Sequence, residues 1–203
     1  MPTELVPVVK KAEIVNTSTN RKHYDSTRPV SFITESEVNS MVDCAKTERN
    51  KLMILVTFQC ALRISETLQI TRQHRQVTDD SKHRLFIIGK GGKPRVIAIP
   101  EALSHQLGDF MGSNNLGDTD RVFPISRQRA WKILKQAAIA AGIDKRVYCH
   151  LLRHGGAVAR LKRSGNPKSL QIHLGHSDIK MTMRYLSTLQ VMDSLEIEDK
   201  VKF

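Results

Sequence analysis

The chain has 203 residues, a formal net charge of +12, 40% hydrophobic residues and only 5% aromatic ones. This length suits one globular domain with a tail, and no run approaches the ~18 apolar residues of a membrane span. The three cysteines, Cys44, Cys60 and Cys149, lack framework spacing and read as reduced, buried thiols. The N-terminus has no signal-peptide core, and the excess of positive charge calls for a polyanion, nucleic acid being the usual one.

Residues 1–30 are polar and without periodicity, and read as a flexible basic arm lying on phosphates or simply disordered. Thr34-Glu35-Ser36-Glu37 forms a capping box, so a helix follows with Val38, Met41, Val42 and Ala45 toward a core. A second apolar helix spans Lys51 to Ala61, and helical character resumes at Ser65. Arg84 to Ile88 and Arg95 to Ile99 flank Gly89-Lys90-Gly91-Gly92-Lys93-Pro94, which predicts a β-hairpin with a basic tip. A helix opens at Pro100-Glu101, and residues 112–120 form a loop. Ser126 caps a helix from Arg127 to Ala141, closed by Gly142. Another helix runs from His150 to Ser164, with short pieces over Lys168 to Leu174 and Asp178 to Tyr185. The expected architecture is mainly α with a small antiparallel β-sheet: a domain over 31–188 and a tail over 189–203.

Cleaving a phosphodiester without metal or ATP places particular demands on side chains. Negative charge grows on the nonbridging oxygens and must meet preorganised cations. The reaction also needs a nucleophile and an acid for the departing 5′ oxygen. Tyrosine suits the first role, because its phenolate leaves readily on reversal. Arginines suit the clamp, being always charged and able to grip phosphate with two bonds. Such a set occurs in order along the chain. Arg63 stands in Ala61-Leu62-Arg63-Ile64-Ser65-Glu66 and Lys90 in the hairpin tip. His150 and Arg153 stand in His150-Leu151-Leu152-Arg153-His154, His176 in Leu174-Gly175-His176-Ser177-Asp178, and Tyr185 in Met183-Arg184-Tyr185-Leu186.

These segments resemble the L-R-I-S-E, G-K-G, H-x-L-R-H and L-G-H-S hallmarks, followed by a tyrosine, of the tyrosine recombinases, or phage-type integrases. The resemblance runs from about Arg28 to about Leu189. It implies that Arg63 and Arg153 hold the scissile phosphate, that Lys90 is the general acid, and that His150 accepts or positions the tyrosine proton. His176 would hydrogen-bond a nonbridging oxygen, and Tyr185 would attack to give a 3′-phosphotyrosyl link. Glu66 would orient Arg63 or His150. Lys93 is the competitor of Lys90, which the family pattern favours by placing the acid directly after the first glycine. Lys93, Arg95, Arg127, Arg129 and Arg160 are further candidates for DNA contact.

The resemblance further implies duplex DNA as partner, a homo-tetramer on two sites that is monomeric off DNA, and an accessory DNA-bending protein or second recombinase in some systems. It implies no cofactor, metal or membrane, and a cytoplasmic, nucleoid-associated setting in a prokaryotic cell or encoded by a plasmid or virus. Two features depart from the pattern. Gly155-Gly156 interrupts a helix at a cost of about 1 kcal/mol per glycine relative to alanine, either for close packing or with a loosened site. Typical members also carry a helical clamp domain ahead of the catalytic one, so the expectation is a minimal form like the short fimbrial phase-switch invertases, a truncated relative, or a fragment. A type IB topoisomerase and a noncatalytic DNA-binding regulator are the alternatives. A zinc site from His150, His154, His173 and His176 lacks both the H-E-x-x-H pattern and an acidic ligand.

Overall fold

The computed structural model describes residues 32–198, without the side chains of Lys90 and residues 194–198. The arm expected over 1–30 and the last five residues of the tail lie outside this range. The capping box at Thr34 forms as expected: Thr34 Oγ1 accepts from Glu37 N, and Glu37 reaches back to Thr34 N at 2.8 Å. It opens α1 (Glu35–Asp43), which buries Val38 and Met41. The second helix, α2 (Glu48–Gln59), starts a turn earlier than its apolar run because Thr47 caps Asn50 N at 3.3 Å. Ala61 then takes a left-handed φ of 48°, and a short α3 (Ile64–Thr67) follows.

The sheet has three antiparallel strands in the order β1 (Arg75–Val77), β2 (His83–Ile88), β3 (Pro94–Ala98). The expected hairpin is β2–β3, in register from Arg84 opposite Ala98 to Ile88 opposite Pro94. Its tip is a 3₁₀ turn over Lys90–Gly92, where Gly91 and Gly92 adopt φ of 75° and 74°, values that L side chains reach only with strain. The third strand was not expected. It is only three residues long with no apolar alternation, and it exists through its pairing with β2.

Helices α4 (Glu101–Ser113), α5 (Arg127–Ala140), α6 (Cys149–Ser164) and α7 (Pro167–Leu174) match the expected segments within a few residues. The last helix, α8 (Lys180–Glu198), does not. It runs unbroken through Tyr185 into the expected tail, with Leu189 buried. The chain is therefore mainly α with one small antiparallel sheet. A main core joins α1, α2, α4, α5 and the sheet to the start of α6. A smaller cluster of Ala61, Ala157, Val158, Leu161, Leu170 and Leu174 surrounds Tyr185 and Leu189.

The glycine pair resolves in favour of close packing. A Cβ at position 156 would stand 1.9 Å from the Phe58 carbonyl oxygen, and one at position 155 would stand 2.2 Å from that of Ile33. The absent side chains let α6, which carries His150, Arg153 and His154 into one cleft, rest directly on the α2 backbone.

Candidate active site

Where α3, α6 and α8 converge, a cleft of about 720 Å³ is lined by Arg63, Glu66, His150, Arg153, His154, His176 and Tyr185, together with Arg127 and Gly89. The placement begins with α3. Arg63 is its N-cap and Glu66 its third residue, so Glu66 Oε2 accepts from Arg63 N at 2.9 Å while Oε1 takes Arg63 Nη1 at 2.9 Å. A buried pair of hydroxyls, Thr57 and Thr67, 3.2 Å apart, ties α3 to α2.

Glu66 is the hub of the site. Only 4% exposed, it also receives Arg95 in a two-bond grip at 3.0 and 2.9 Å, and it lies 3.5 Å from Arg153 Nη1. Burial alone would raise its pKa. The Arg95 hydrogen bonds, the Arg63 N–H and the charges of Arg95 and Arg153 outweigh that and hold it below the ordinary carboxylate value. Arg153 is itself fixed by Ala61 O at 2.9 Å and Leu174 O at 3.0 Å. Burial first, then the neighbouring Arg63, lowers its pKa to about 10, which leaves it cationic at neutral pH.

Tyr185 is buried, and its hydroxyl lies 2.9 Å from His154 Nδ1. His150 was expected beside the tyrosine proton; His154, one helical turn further along α6, stands there. His150 is exposed at the cleft wall, its ring 6.3 Å from that of His154. The i, i+4 spacing of the two histidines was the available signal, but it does not say which of them faces α8. Burial, followed by His150, Arg153 and Arg184, lowers the pKa of His154 to about 4. The neutral imidazole this leaves is one that can accept a phenolic proton. His176 is also lowered to about 4, by burial and then Arg153 and Arg63. Its Nδ1 meets Thr182 Oγ1 at 2.9 Å, and its Nε2 lies 3.4 Å from Arg153 Nη2. An arginine only donates, so Nε2 is the acceptor and Nδ1–H donates to Thr182.

The remaining candidates separate by environment. Arg127 lines the cleft, Lys93 borders an adjoining recess beside Arg63 and His176, and Arg129 is exposed on α5. Two of the residues expected to contact DNA are engaged within the protein. Arg95 turns inward to Glu66 and the His173 carbonyl, with its side chain 12% exposed. Arg160 donates to the carbonyls of Gln59 and Ala98 at 2.9 and 3.2 Å, outside the cleft. The Lys90 backbone lies at the hairpin tip, and its side chain is outside the described residues. The four histidines considered for zinc do not converge among the described residues, since His173 is held by Cys60 O at 2.8 Å, His176 by Thr182 and His154 by Tyr185.

Among curated proteins, the chain is similar to a tyrosine recombinase of Pseudothermotoga lettingae, 29% identical over 163 residues covering 76% of this chain and 55% of that one. It is 32% identical to the tyrosine recombinase XerD of Halalkalibacterium halodurans over 151 residues, covering 68% of this chain and 48% of the relative. The chain thus spans about half the length of the curated relatives it matches. In fold it is similar to the XerH site-specific recombinase bound to difH substrate in a pre-cleavage complex, with a TM-score of 0.68, 18% identity, and 84% of this chain and 55% of that one covered. It is also similar to the catalytic domain of bacteriophage HP1 integrase, with a TM-score of 0.63, 22% identity, and coverage of 82% and 94%. The sequence profile described as the phage integrase family matches residues 31–190. With most of its length matched by that profile and its fold shared with recombinase catalytic domains, the chain belongs to the phage integrase family.

Proposed function

We propose that this chain is the catalytic domain of a site-specific recombinase that cleaves and rejoins duplex DNA through a 3′-phosphotyrosyl intermediate, without metal or ATP. The observation that carries the proposal is the Tyr185 hydroxyl, held 2.9 Å from a neutral imidazole in a cleft where Arg63 and Arg153 are both fixed by one buried glutamate. In this reading a phosphate enters between the two guanidiniums. Tyr185 Oη attacks phosphorus in line as its proton passes to His154, and the P–O5′ bond breaks with a proton supplied to the leaving oxygen by Lys90. Arg63 and Arg153 meet the charge on the nonbridging oxygens. His176 joins them once its ring proton moves to Nε2, with Thr182 Oγ1 then donating to the bare Nδ1, and His150 stands at the cleft wall beside them. Lys93, Arg127 and Arg129 would track neighbouring phosphates.

A tetramer on two DNA sites, assembled from monomers, is the arrangement in which two such cleavages exchange strands. An accessory bending protein or second recombinase would assist, and the nucleoid would be the setting. Of the tail from 189 onward, the part beyond the buried Leu189 would pass to a neighbouring protomer. Val191, the first exposed apolar residue beyond the buried Leu189, begins the surface available for this.

The test is covalent trapping. Protein and its Tyr185→Phe variant are mixed with nicked duplexes from DNA flanking the gene, and the products are run on a denaturing gel. A shifted band is expected from the parent and none from the variant; salt-sensitive binding with no band on any duplex would overturn the reading.

The role given to His154 has its own signature. An incoming phosphate offsets the arginine charge that helps to lower this histidine, so its pKa on DNA should lie above the value of about 4 in the free protein. A base must be unprotonated, so single-turnover cleavage on bound DNA should fall as pH drops through that raised value. His154→Ala should slow cleavage by about 10²-fold. His154→Asn keeps a hydrogen-bonding group near the Nδ1 position but cannot titrate, so it should recover part of the rate and lack the acid limb. An unchanged limb in His154→Asn would move the role to another residue.

A further inference from the structure

At the far end of β2 from the cleft, three side chains meet that the proposed reaction does not use. His83 opens β2, while Glu101 and His105 stand i, i+4 on the first turns of α4 and therefore share a face. Glu101 Oε1 lies 3.7 Å from His105 Nε2 and 4.0 Å from His83 Nε2, the two imidazoles meet edge-on at 5.0 Å, and one donor atom from each residue falls within 4.8 Å of the others. We propose that His83, Glu101 and His105 form a binding site for one divalent transition-metal ion of the zinc class, with its fourth position open to water.

The donor set is two imidazoles and a carboxylate, the kind that suits Zn²⁺ and its neighbours better than Mg²⁺ or Ca²⁺. Tetrahedral coordination at 2.0–2.2 Å asks for donors roughly 3.4 Å apart, so Glu101 needs to approach the two imidazoles by roughly 0.3–0.6 Å, and the imidazole nitrogens, within 4.8 Å of each other, need to close by at most about 1.4 Å. Glu101 and His105 are exposed and free to move, with side chains 76% and 59% accessible.

The third ligand is built in. His83 is buried, and its Nδ1 lies 2.9 Å from Ser104 Oγ, itself fully buried and already receiving Arg75 Nε at 2.8 Å. Arg75 also donates to Ser104 O at 2.8 Å and passes so close over Gly108 that a Cβ there would lie 3.2 Å from its guanidinium carbon. A serine oxygen anchored in this way can take the Nδ1–H of His83 on its other lone pair. In that tautomer Nε2 is bare, 4.0 Å from Glu101 Oε1, and Nδ1 has the hydrogen-bonded support that metal-bound histidines usually have.

From His83 to the end of β2 at Ile88, which lines the cleft, the strand covers roughly 17 Å, so the site is separate from the cleft. An ion here would fasten the base of the β2–β3 hairpin, whose tip carries Lys90, to α4.

Co²⁺ titration of the tag-free full chain tests the site. The expected result is a d–d absorbance that saturates at one equivalent, without the charge-transfer band of a thiolate, is displaced by Zn²⁺ and is unaffected by excess Mg²⁺. Glu101→Gln and His105→Ala, both at exposed positions and checked for fold by circular dichroism, should each weaken uptake at least tenfold. Absence of saturable uptake by the parent chain would overturn the proposal, as would equal uptake by folded variants or a thiolate band pointing to Cys44.

Discussion

Replacing Gly156 with alanine is expected to destabilise the protein by about 2 kcal/mol or more, although alanine is the better helix former. Helix propensity alone predicts a gain of about 1 kcal/mol. Against it stands a Cβ placed 1.9 Å from the Phe58 carbonyl oxygen and 2.9 Å from its carbonyl carbon, both backbone atoms that no rotamer change can remove. Overpacking typically costs about 1–3 kcal/mol and occasionally more; a backbone clash this deep falls at the top of that range, so packing outweighs propensity. That is a large share of the roughly 5–15 kcal/mol by which domains are stable. In urea, where slopes are about 1–3 kcal/mol/M, the midpoint should fall by roughly 1 M. Gly112 on α4 supplies the control, because a Cβ there meets nothing within 4 Å and Gly112→Ala should leave stability equal or higher. Gly156→Ala should also damage cleavage, since His150, Arg153 and His154 all ride on α6 and would withdraw with it from α2. Stabilisation by Gly156→Ala would mean that α6 and α2 do not approach as closely as described.

What could be read from the sequence was whatever the local chain dictates. The Thr34 capping box, the end of a helix at Ser164 (where Gly165 caps it with a φ of 60°) and the glycine tip of the hairpin are decided within four or five residues, and each forms where expected. The break expected after Tyr185 was wrong for a comparable reason. The buried face of α8 includes Thr182 and Thr188 beside Tyr185 and Leu189, and threonines read as polar. In place, Thr188 Oγ1 donates to Arg184 O at 2.8 Å and Thr182 Oγ1 meets His176, so both bury with their hydroxyls satisfied. Side-chain destinations were the least legible. Arg95 and Arg127 look alike in sequence, yet one is held by Glu66 and the other lines the cleft, and the difference arises from packing between segments some 30 residues apart. The choice between His150 and His154 has the same origin, because α8, from 31 residues further along, selects which histidine meets Tyr185.

Glu66→Gln is the second substitution expected to have a large effect, and it separates charge from shape. Glutamine fits the same space but carries no charge, and its amide nitrogen would turn a donor toward guanidiniums that can only donate. Arg63, Arg95 and Arg153 would then stand together with no anion among them; Arg153 would keep the Ala61 and Leu174 carbonyls and Arg95 the His173 carbonyl. Breaking a buried pair by removing one partner costs about 3–5 kcal/mol, and that loss is expected at neutral pH. The pH dependence identifies the cause. Because the Glu66 pKa is depressed by folding, its contribution is present in full above the ordinary value of 4.5 and fades as pH falls through the lower folded value. Denaturation of the parent chain across this range should show that decline, and Glu66→Gln, already without the charge, should show a shallower one. Cleavage should drop by about 10²-fold even under conditions where the variant stays folded, because arginines displaced by ångström distances no longer frame one phosphate. Near-normal stability with lost cleavage would restrict Glu66 to orienting the arginines. Normal cleavage in a folded variant would show that the phosphate itself can organise Arg63 and Arg153, leaving Glu66 no part in the chemistry.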